Sequence, residues 1–198
     1  MPLEVFDARS DIRNLFITPE IRARIMRFEP GQVSDGHTHD LGHEMFLVVE
    51  GFAEFTIAGQ SAVLGPGQIC VARAGEWHEI RTLPDAPMTL YLSVTPHLEP
   101  THTMWDREGG KRLPYRYGGA TGHMPAEPVA VLLERHLAAA DALASAAQEF
   151  AATQRRLASD APPAALPEMT ASLQQLYARF QDVENAWNDV APKLGLPT

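Results

Sequence analysis

Three residues whose side chains bind metal ions lie close together within residues 31–51. His37 and His39 are two residues apart, and Glu44 follows after a short segment. In an extended strand, side chains at positions i and i+2 leave the same face, so both imidazoles can reach one point. The intervening Asp-Leu-Gly at 40–42 predicts a turn that directs the Glu44 carboxylate back toward them. The spacing therefore predicts three ligands at one centre.

A fourth candidate ligand, His78, follows a second glycine-bounded apolar segment at 67–75. Imidazole and carboxylate groups suit divalent iron, manganese, nickel, copper or zinc, and three histidines with one glutamate leave positions open on a six-coordinate ion. Metal-assisted catalysis requires such open positions. We therefore predict one divalent transition metal ion (Fe, Mn, Ni, Cu or Zn), bound by His37, His39, Glu44 and His78.

The first of these segments resembles a sequence motif of the cupin superfamily. That motif places a glycine on either side of a His-x-His pair and a glutamate. Every spacing of the motif is met by Gly31, His37, His39, Glu44 and Gly51. A joint match at these positions is hard to obtain by chance, so it indicates a metal-binding cupin.

The second segment is similar to the other cupin motif, through Gly67, Gly75 and His78. Arg73 stands where that motif has a proline, and Thr82 stands where it has an asparagine. Both departures lie outside the ligand set and leave metal binding intact. The resemblance covers residues 20–96 and implies a mainly β protein, with a double-stranded β-helix or jelly-roll barrel.

His43 precedes Glu44 directly, and its role is predicted to be different. Adjacent residues of a strand point to opposite faces, so the two side chains diverge if the strand has begun. We expect His43 to lie at the surface or behind a ligand, and not to bind the metal.

Residues 21–96 read as short apolar strands separated by frequent Gly and Pro turns. Turn signals at this density are typical of an antiparallel sandwich or barrel. Within 44–49 the two alternating faces are equally apolar beyond Glu44, so both faces of this strand must be covered.

The composition changes near residue 125. Residues 127–159 are rich in Ala, Leu, Glu and Arg, with apolar residues at helical spacing, which predicts a long helix. A proline-rich break at 160–167 separates it from a second segment with the same period. We predict a C-terminal α-helical hairpin for packing or dimerisation. The predicted domains are a barrel at 1–106, a linker or flap at 107–126 and the hairpin at 127–198.

The predicted linker at 107–126 is basic and rich in Gly and Tyr, in an otherwise acidic chain. If the segment is a flap, Arg112 and Arg116 can meet an anionic substrate, because guanidinium pairs bidentately with carboxylate or phosphate. A solvated linker explains the same composition. The residues expected to contact substrate are Phe46, Phe55, Trp77, Tyr91, His102, Arg112 and Arg116.

Composition restricts the partners and the compartment. The net charge is −9 with no long basic run, which argues against nucleic-acid binding. Cys70 is the single cysteine, so no intramolecular disulfide can form. No signal peptide or membrane-length apolar segment is evident, and we expect a cytoplasmic protein that does not bind membranes. Two helices alone cannot cover both of their apolar stripes and the outer face of the barrel, which predicts a homodimer.

Two classes of function fit these features. The first is a metal-dependent enzyme on a small, anionic organic molecule, most simply a dioxygenase-like oxidoreductase; an isomerase or lyase needs the same ligands. The second is a non-catalytic cupin that binds or senses a metabolite, with the hairpin signalling to a partner or another subunit whether the metabolite is bound. The hairpin is acidic, which disfavours a DNA-reading regulator.

Overall fold

The structure is a computed structural model that describes residues 2–106, 124–160 and 166–194. The chain divides into two compact units, one N-terminal and one C-terminal, with the division between residues 123 and 124. The N-terminal unit is built from strands, and the C-terminal unit from two helices.

The strands of the N-terminal unit form two antiparallel sheets that make a jelly-roll sandwich. In chain order they are β1 Asn14–Ile17, β2 Arg22–Phe28, β3 His37–Thr38, β4 His43–Glu50, β5 Ala53–Ile57, β6 Gln60–Leu64, β7 Ile69–Ala72, β8 His78–Thr82, β9 Met88–Thr95 and β10 Thr103–Met104. One sheet has the order β1-β2-β9-β4-β7, and the other has the order β10-β3-β8-β5-β6. The prediction of a mainly β, cupin-like barrel is confirmed.

Apolar side chains from both sheets fill the space between them. This core comprises Phe28, Phe46, Val48, Ala53, Phe55, Leu64, Ala72, Ile80, Met88, Leu90, Leu92 and Val94. On β4 the inner face is buried at Glu44, Phe46 and Val48, whereas Met45 on the other face is 43% exposed, so the expectation that both faces are covered is wrong at Met45. Interdigitation of the two inner faces therefore holds the sandwich together.

The turn between β4 and β5 depends on Gly51. Its φ of 76° lies in the left-handed region, and a Cβ there would lie 2.2 Å from the Pro87 carbonyl oxygen. Only glycine combines that conformation with so close an approach. The turn leads into β5, which pairs with β8, the strand that carries His78.

The C-terminal unit consists of α1, Val129–Asp160, and α2, Leu166–Leu194. The two helices run antiparallel, because Gln154 Nε2 donates to Ser172 Oγ at 2.9 Å while Arg135 pairs with Asp189 at 3.4 Å towards the other end. The predicted pair of C-terminal helices is confirmed. The break is shorter than predicted, since α2 already begins at Leu166. Pro167 is tolerated there because the first turn of a helix does not need its N–H.

No helix among the described residues is long and apolar enough to cross a membrane.

Candidate metal centre

Four side chains from three strands and one turn meet inside the N-terminal unit. His37 lies on β3 and pairs in register with His78, the first residue of β8. His39 follows β3, and Glu44 is the second residue of β4. One ligand atom from each of these four residues lies within 4.8 Å of the other three.

The orientation of each imidazole is fixed by a backbone carbonyl. Nδ1 of His37 lies 2.8 Å from the Asp35 oxygen, and Nδ1 of His78 lies 3.0 Å from the Glu76 oxygen. Nδ1 of His39 makes the same kind of bond to the Thr101 oxygen. A carbonyl oxygen can only accept, so each Nδ1 carries the proton and donates it. Each ring therefore directs Nε2 at the centre, and an Nε2 without a proton offers the lone pair that binds a metal.

The Glu44 carboxylate lies among these nitrogen atoms. Its Oε2 is 2.8 Å from His39 Nε2, 2.9 Å from His78 Nε2 and 4.0 Å from His37 Nε2. The Nε2 atoms of His37 and His78 are 3.2 Å apart. Lone pairs at these separations repel one another unless a proton or a cation lies between them. Ligands at about 2.1 Å from one ion lie about 3 Å apart when adjacent and about 4 Å apart when opposite, so these residues can hold a metal ion.

Burial and mutual charge control the protonation of the four groups. Burial opposes the charged form of Glu44, but the charge and hydrogen bonds of His39 and His78 outweigh it and hold its pKa well below the usual value. Burial and the charge of His78 lower the pKa of His37 to about 3. Burial lowers the pKa of His78 as well, but the Glu44 carboxylate reverses that effect and raises it. The carboxylate is thus ionised, as a metal ligand must be.

His43 lies on the opposite face of β4 from Glu44. Its side chain is exposed, and its Nδ1 accepts a hydrogen bond of 3.0 Å from the Ala74 N–H. This contact links β4 to the turn that precedes His78. The structure therefore does not bring His43 to the four clustered ligands.

The predicted substrate contacts fall in different places. Phe46 and Phe55 are core residues with ring centroids 5.5 Å apart, and the Phe46 ring lies 5.7 Å from that of His78. Trp77 is half-buried and packs against Gly36, where a Cβ would lie 2.4 Å from its ring. Tyr91 alternates with the buried Leu90 and Leu92, so it leaves the other face of β9.

His102 lies beside the candidate centre, as a fourth imidazole. Its ring centroid is 4.7 Å from that of His37 and 4.8 Å from that of His39. Burial, followed by the charges of those two histidines, lowers its pKa to about 2, so the ring is neutral. Arg112 and Arg116, the remaining predicted contacts, lie outside the described residues.

The sequence interpretation overlooked three basic residues near the centre, two of them buried and Arg24 half-buried. Arg22 and Arg24 lie on β2, and His97 follows β9; Arg22 and His97 are each 2% exposed. The charges of Arg22 and His39 help burial to lower the pKa of His97 to about 3. Arg22 and Arg24 share a face with Met26, which packs against the core, and with the core residue Phe28, but the apolar residues between them obscure this pattern in the sequence.

An open cleft of about 560 Å³ lies between the edge strands of the two sheets. Its lining includes Phe55, Ile57, Leu64 and Cys70, with Arg73 and Glu76 also contributing. None of the four clustered ligands lines it, but Ile57 pairs in register with His78. The cleft therefore offers a small organic molecule space beside the strand that carries one ligand.

Residues 24–95 match the sequence profile of the cupin domain. This segment is a cupin domain. Similar solved structures include a conserved protein with a double-stranded β-helix domain from Klebsiella pneumoniae, at 22% identity over 48% of this chain and 91% of that chain, with a TM-score of 0.45. KdgF from a Halomonas species is 27% identical over 42% of this chain and 77% of that chain, with a TM-score of 0.40. The DMSP lyase DddQ from Ruegeria pomeroyi is 26% identical over 46% of each chain, with a TM-score of 0.42. No curated protein matches the sequence.

Proposed function

We propose that this cupin is a metal-dependent enzyme, a dioxygenase-like oxidoreductase that acts on a small anionic organic molecule. One observation carries the proposal: three imidazoles whose Nδ1 atoms are tied to the backbone direct their Nε2 atoms at one buried carboxylate. His37, His39, Glu44 and His78 are the proposed ligands. Such a set leaves coordination positions for a substrate on a six-coordinate ion.

Different groups of the chain orient the ligands, supply negative charge and exclude water at such a site. The backbone carbonyls of Asp35, Glu76 and Thr101 hold the imidazoles in one orientation, which avoids reorganisation when the reaction occurs. Glu44 supplies the negative charge that offsets a divalent ion. The Phe46 ring beside His78 keeps water from that side. A bound metal would supply Lewis-acid and redox chemistry.

The first experiment determines the metal. Full-length protein purified without added metal is analysed for its elements, then stripped and reloaded anaerobically with Fe, Mn, Ni, Cu or Zn. We expect one equivalent of a redox-active metal in the wild type and a large loss in Glu44→Gln, which keeps the side-chain size. A wild-type chain that retains no metal would overturn the proposal.

The second experiment tests catalysis on the loaded protein. Oxygen consumption is followed with a panel of small carboxylates, and products are identified by mass spectrometry. Oxygen uptake that depends on both metal and carboxylate supports the oxidoreductase. Turnover without oxygen would replace it with isomerase or lyase chemistry. Ligand binding with no turnover under either condition would leave a binding or sensing module.

We also propose that the chain forms a homodimer through its helices. Leu137 on α1 is 62% exposed, and Tyr177 and Phe180 on α2 are 57% and 44% exposed. Apolar side chains this large, clustered on one unit, favour a contact with a second copy. Sedimentation of the full chain over a range of concentrations should give a dimer, and Leu137→Lys with Phe180→Lys should give a monomer. A wild-type monomer at high concentration would reject the idea.

A further inference from the structure

Arg22 is a buried positive charge that no carboxylate of the described residues neutralises directly. Its side chain is 2% exposed, and its Nε and Nη1 atoms have no hydrogen-bond partner within the part of the chain that the structure describes. No ion pair joins it to any acidic residue among the described parts of the chain. An arginine in this state is destabilising on its own, because a buried guanidinium loses its hydration. A ligand of negative charge that pairs with the guanidinium would offset this unfavourable free energy.

The sheet register places Arg22 on the same inner face as Glu44. Val94 of β9 pairs with Arg22 on one side and with Glu44 on the other. Residues directly opposite in neighbouring antiparallel strands point to the same face, so the three side chains form one row across the sheet. Arg22 is two strands from a proposed metal ligand, a separation of about 10 Å between backbones that a long side chain partly spans.

Electrostatic coupling agrees with this placement. Burial lowers the pKa of Arg22, whereas the charge of Glu44 raises it. Arg22 in turn helps to lower the pKa values of His97 and His102, the second of which lies beside His37 and His39. The arginine therefore faces the same interior space as the candidate metal centre.

Arg24 adds a second positive charge on this face. Its Nε is also buried and finds no partner among the described residues, and its charge lowers the pKa of Arg22. Among the described residues, Glu44 is the carboxylate whose charge acts on both arginines, and its Oε2 is already engaged by His39 and His78. With a divalent ion bound as well, this end of the interior carries excess positive charge. An anion is needed to balance it.

We propose that Arg22, supported by Arg24, binds a carboxylate group of the organic substrate while another oxygen of the same molecule faces the metal. The guanidinium fork matches a carboxylate with two parallel hydrogen bonds. The substrate class is thus a small organic acid with a second oxygen-bearing group. This inference rests on the proposed metal-dependent function.

The test uses full-length protein loaded with Co(II), whose visible spectrum reports whether metal is bound and whether a ligand reaches it. Acetate is compared with malonate, succinate and glutarate by calorimetry, in the wild type and in Arg22→Met. Met keeps the apolar stem of the side chain but removes the charge. Arg27→Met is the matched control, because Arg27 lies on the same strand but is exposed.

We expect at least one dicarboxylate to bind the wild type about tenfold or more tightly than acetate, since charge-assisted hydrogen bonds add affinity. Arg22→Met should lose that advantage, about 10-fold to 100-fold, with little change for acetate or for metal content. Arg27→Met should behave as the wild type. An equal advantage in wild type and Arg22→Met, or no dicarboxylate advantage at all, would refute the inference.

A second measurement separates ligand binding from a structural role. Without metal or ligand, Arg22→Met should melt at a higher temperature than the wild type, because an unpaired buried charge has been replaced by an apolar group. A lower melting temperature or failure to fold would assign Arg22 a structural role and refute the inference. Absence of a Co(II) spectrum in the wild type would instead reject the proposed function.

Discussion

The two ends of the cupin interior differ in chemistry although the same strands build both. At one end the inward side chains are polar or charged: Arg22 and Arg24 of β2, Glu44 of β4 and His78 of β8. Two to four residues further along the same strands the inward side chains are apolar: Met26 and Phe28 of β2, Phe46 and Val48 of β4, and Ile80 of β8. Each of these strands therefore contributes polar side chains to the candidate site at one end and apolar side chains to the core further along.

The difference separates stability from function along each strand. The apolar end gains free energy by removing hydrocarbon from water, while the polar end must offset the loss of hydration of its ionised groups. Arg22, which no described residue of the chain pairs, is the expected kind of group where stability is traded for binding. Substitutions at the apolar end should therefore change mainly the free energy of unfolding, and substitutions at the polar end should change mainly metal or ligand affinity.

The largest effect is expected at the apolar end. Leu90 is 0% exposed and pairs in register with Val48, two rows away from Glu44. Leu90→Ala should lower the free energy of unfolding by about 2–5 kcal/mol through lost burial and a cavity. Denaturant unfolding measures this change, and metal affinity in the remaining folded protein should equal that of the wild type. A similar loss of metal affinity would show that the two ends are not separable.

The next largest effect is expected at the polar end. His78→Ala removes one of four proposed ligands, which costs on the order of a hundredfold or more in metal affinity if the ligands share the binding free energy. Competition with a metal-sensitive dye measures the affinity. Without metal, the free energy of unfolding should fall by about 1–3 kcal/mol, since the variant loses the hydrogen bonds of His78 to Glu44 and to the Glu76 carbonyl. Full metal affinity in His78→Ala would remove it from the ligand set.

Much of the polar end was predictable because ligand spacing is local. His37 with His39, the turn before Glu44, and the glycines around them specify which side chains share a face within a few residues. Arg22 and Arg24 were not predictable in the same way. They alternate with Ala23 and Ile25, so periodicity alone favours the apolar pair as the inner face. The register with β9 decides against it.

Tyr91, which was expected near the substrate, is a different case. Residues 88–94 alternate Met, Leu, Leu and Val with Thr, Tyr and Ser, so period-two alternation alone favours the apolar set as the inner face. Leu90 and Leu92 take that position, which directs Tyr91 outward. The fold was predictable from its turns and from the change of period near residue 125, because those signals do not depend on which face is inward.

A smaller effect is expected at the boundary between the two ends, where Cys70 pairs in register with Phe46. Burial, and to a lesser extent the Glu44 charge, raise the pKa of this half-buried thiol from 9.0 to about 11. The folded protein should therefore react with iodoacetamide tens of times more slowly at pH 9 than the unfolded chain, because the thiolate is the nucleophile. The raised pKa also stabilises the fold below pH 9, and that contribution is lost as the pH rises through 11. Equal rates in the folded and unfolded protein would contradict the burial.

The smallest effect is expected for His43→Ala, and it tests the alternation on which the comparison depends. His43 and Glu44 are neighbours, but His43 is exposed, whereas Glu44 is buried at the candidate metal centre. His43→Ala loses only the hydrogen bond from the Ala74 N–H, so metal affinity should change by about threefold or less. Glu44→Ala, measured in parallel by the same dye competition, should lose most of its metal. If His43→Ala were purified without metal while Glu44→Ala kept its full complement, His43 and not Glu44 would be the ligand, and the assignment of the two faces of β4 would be wrong.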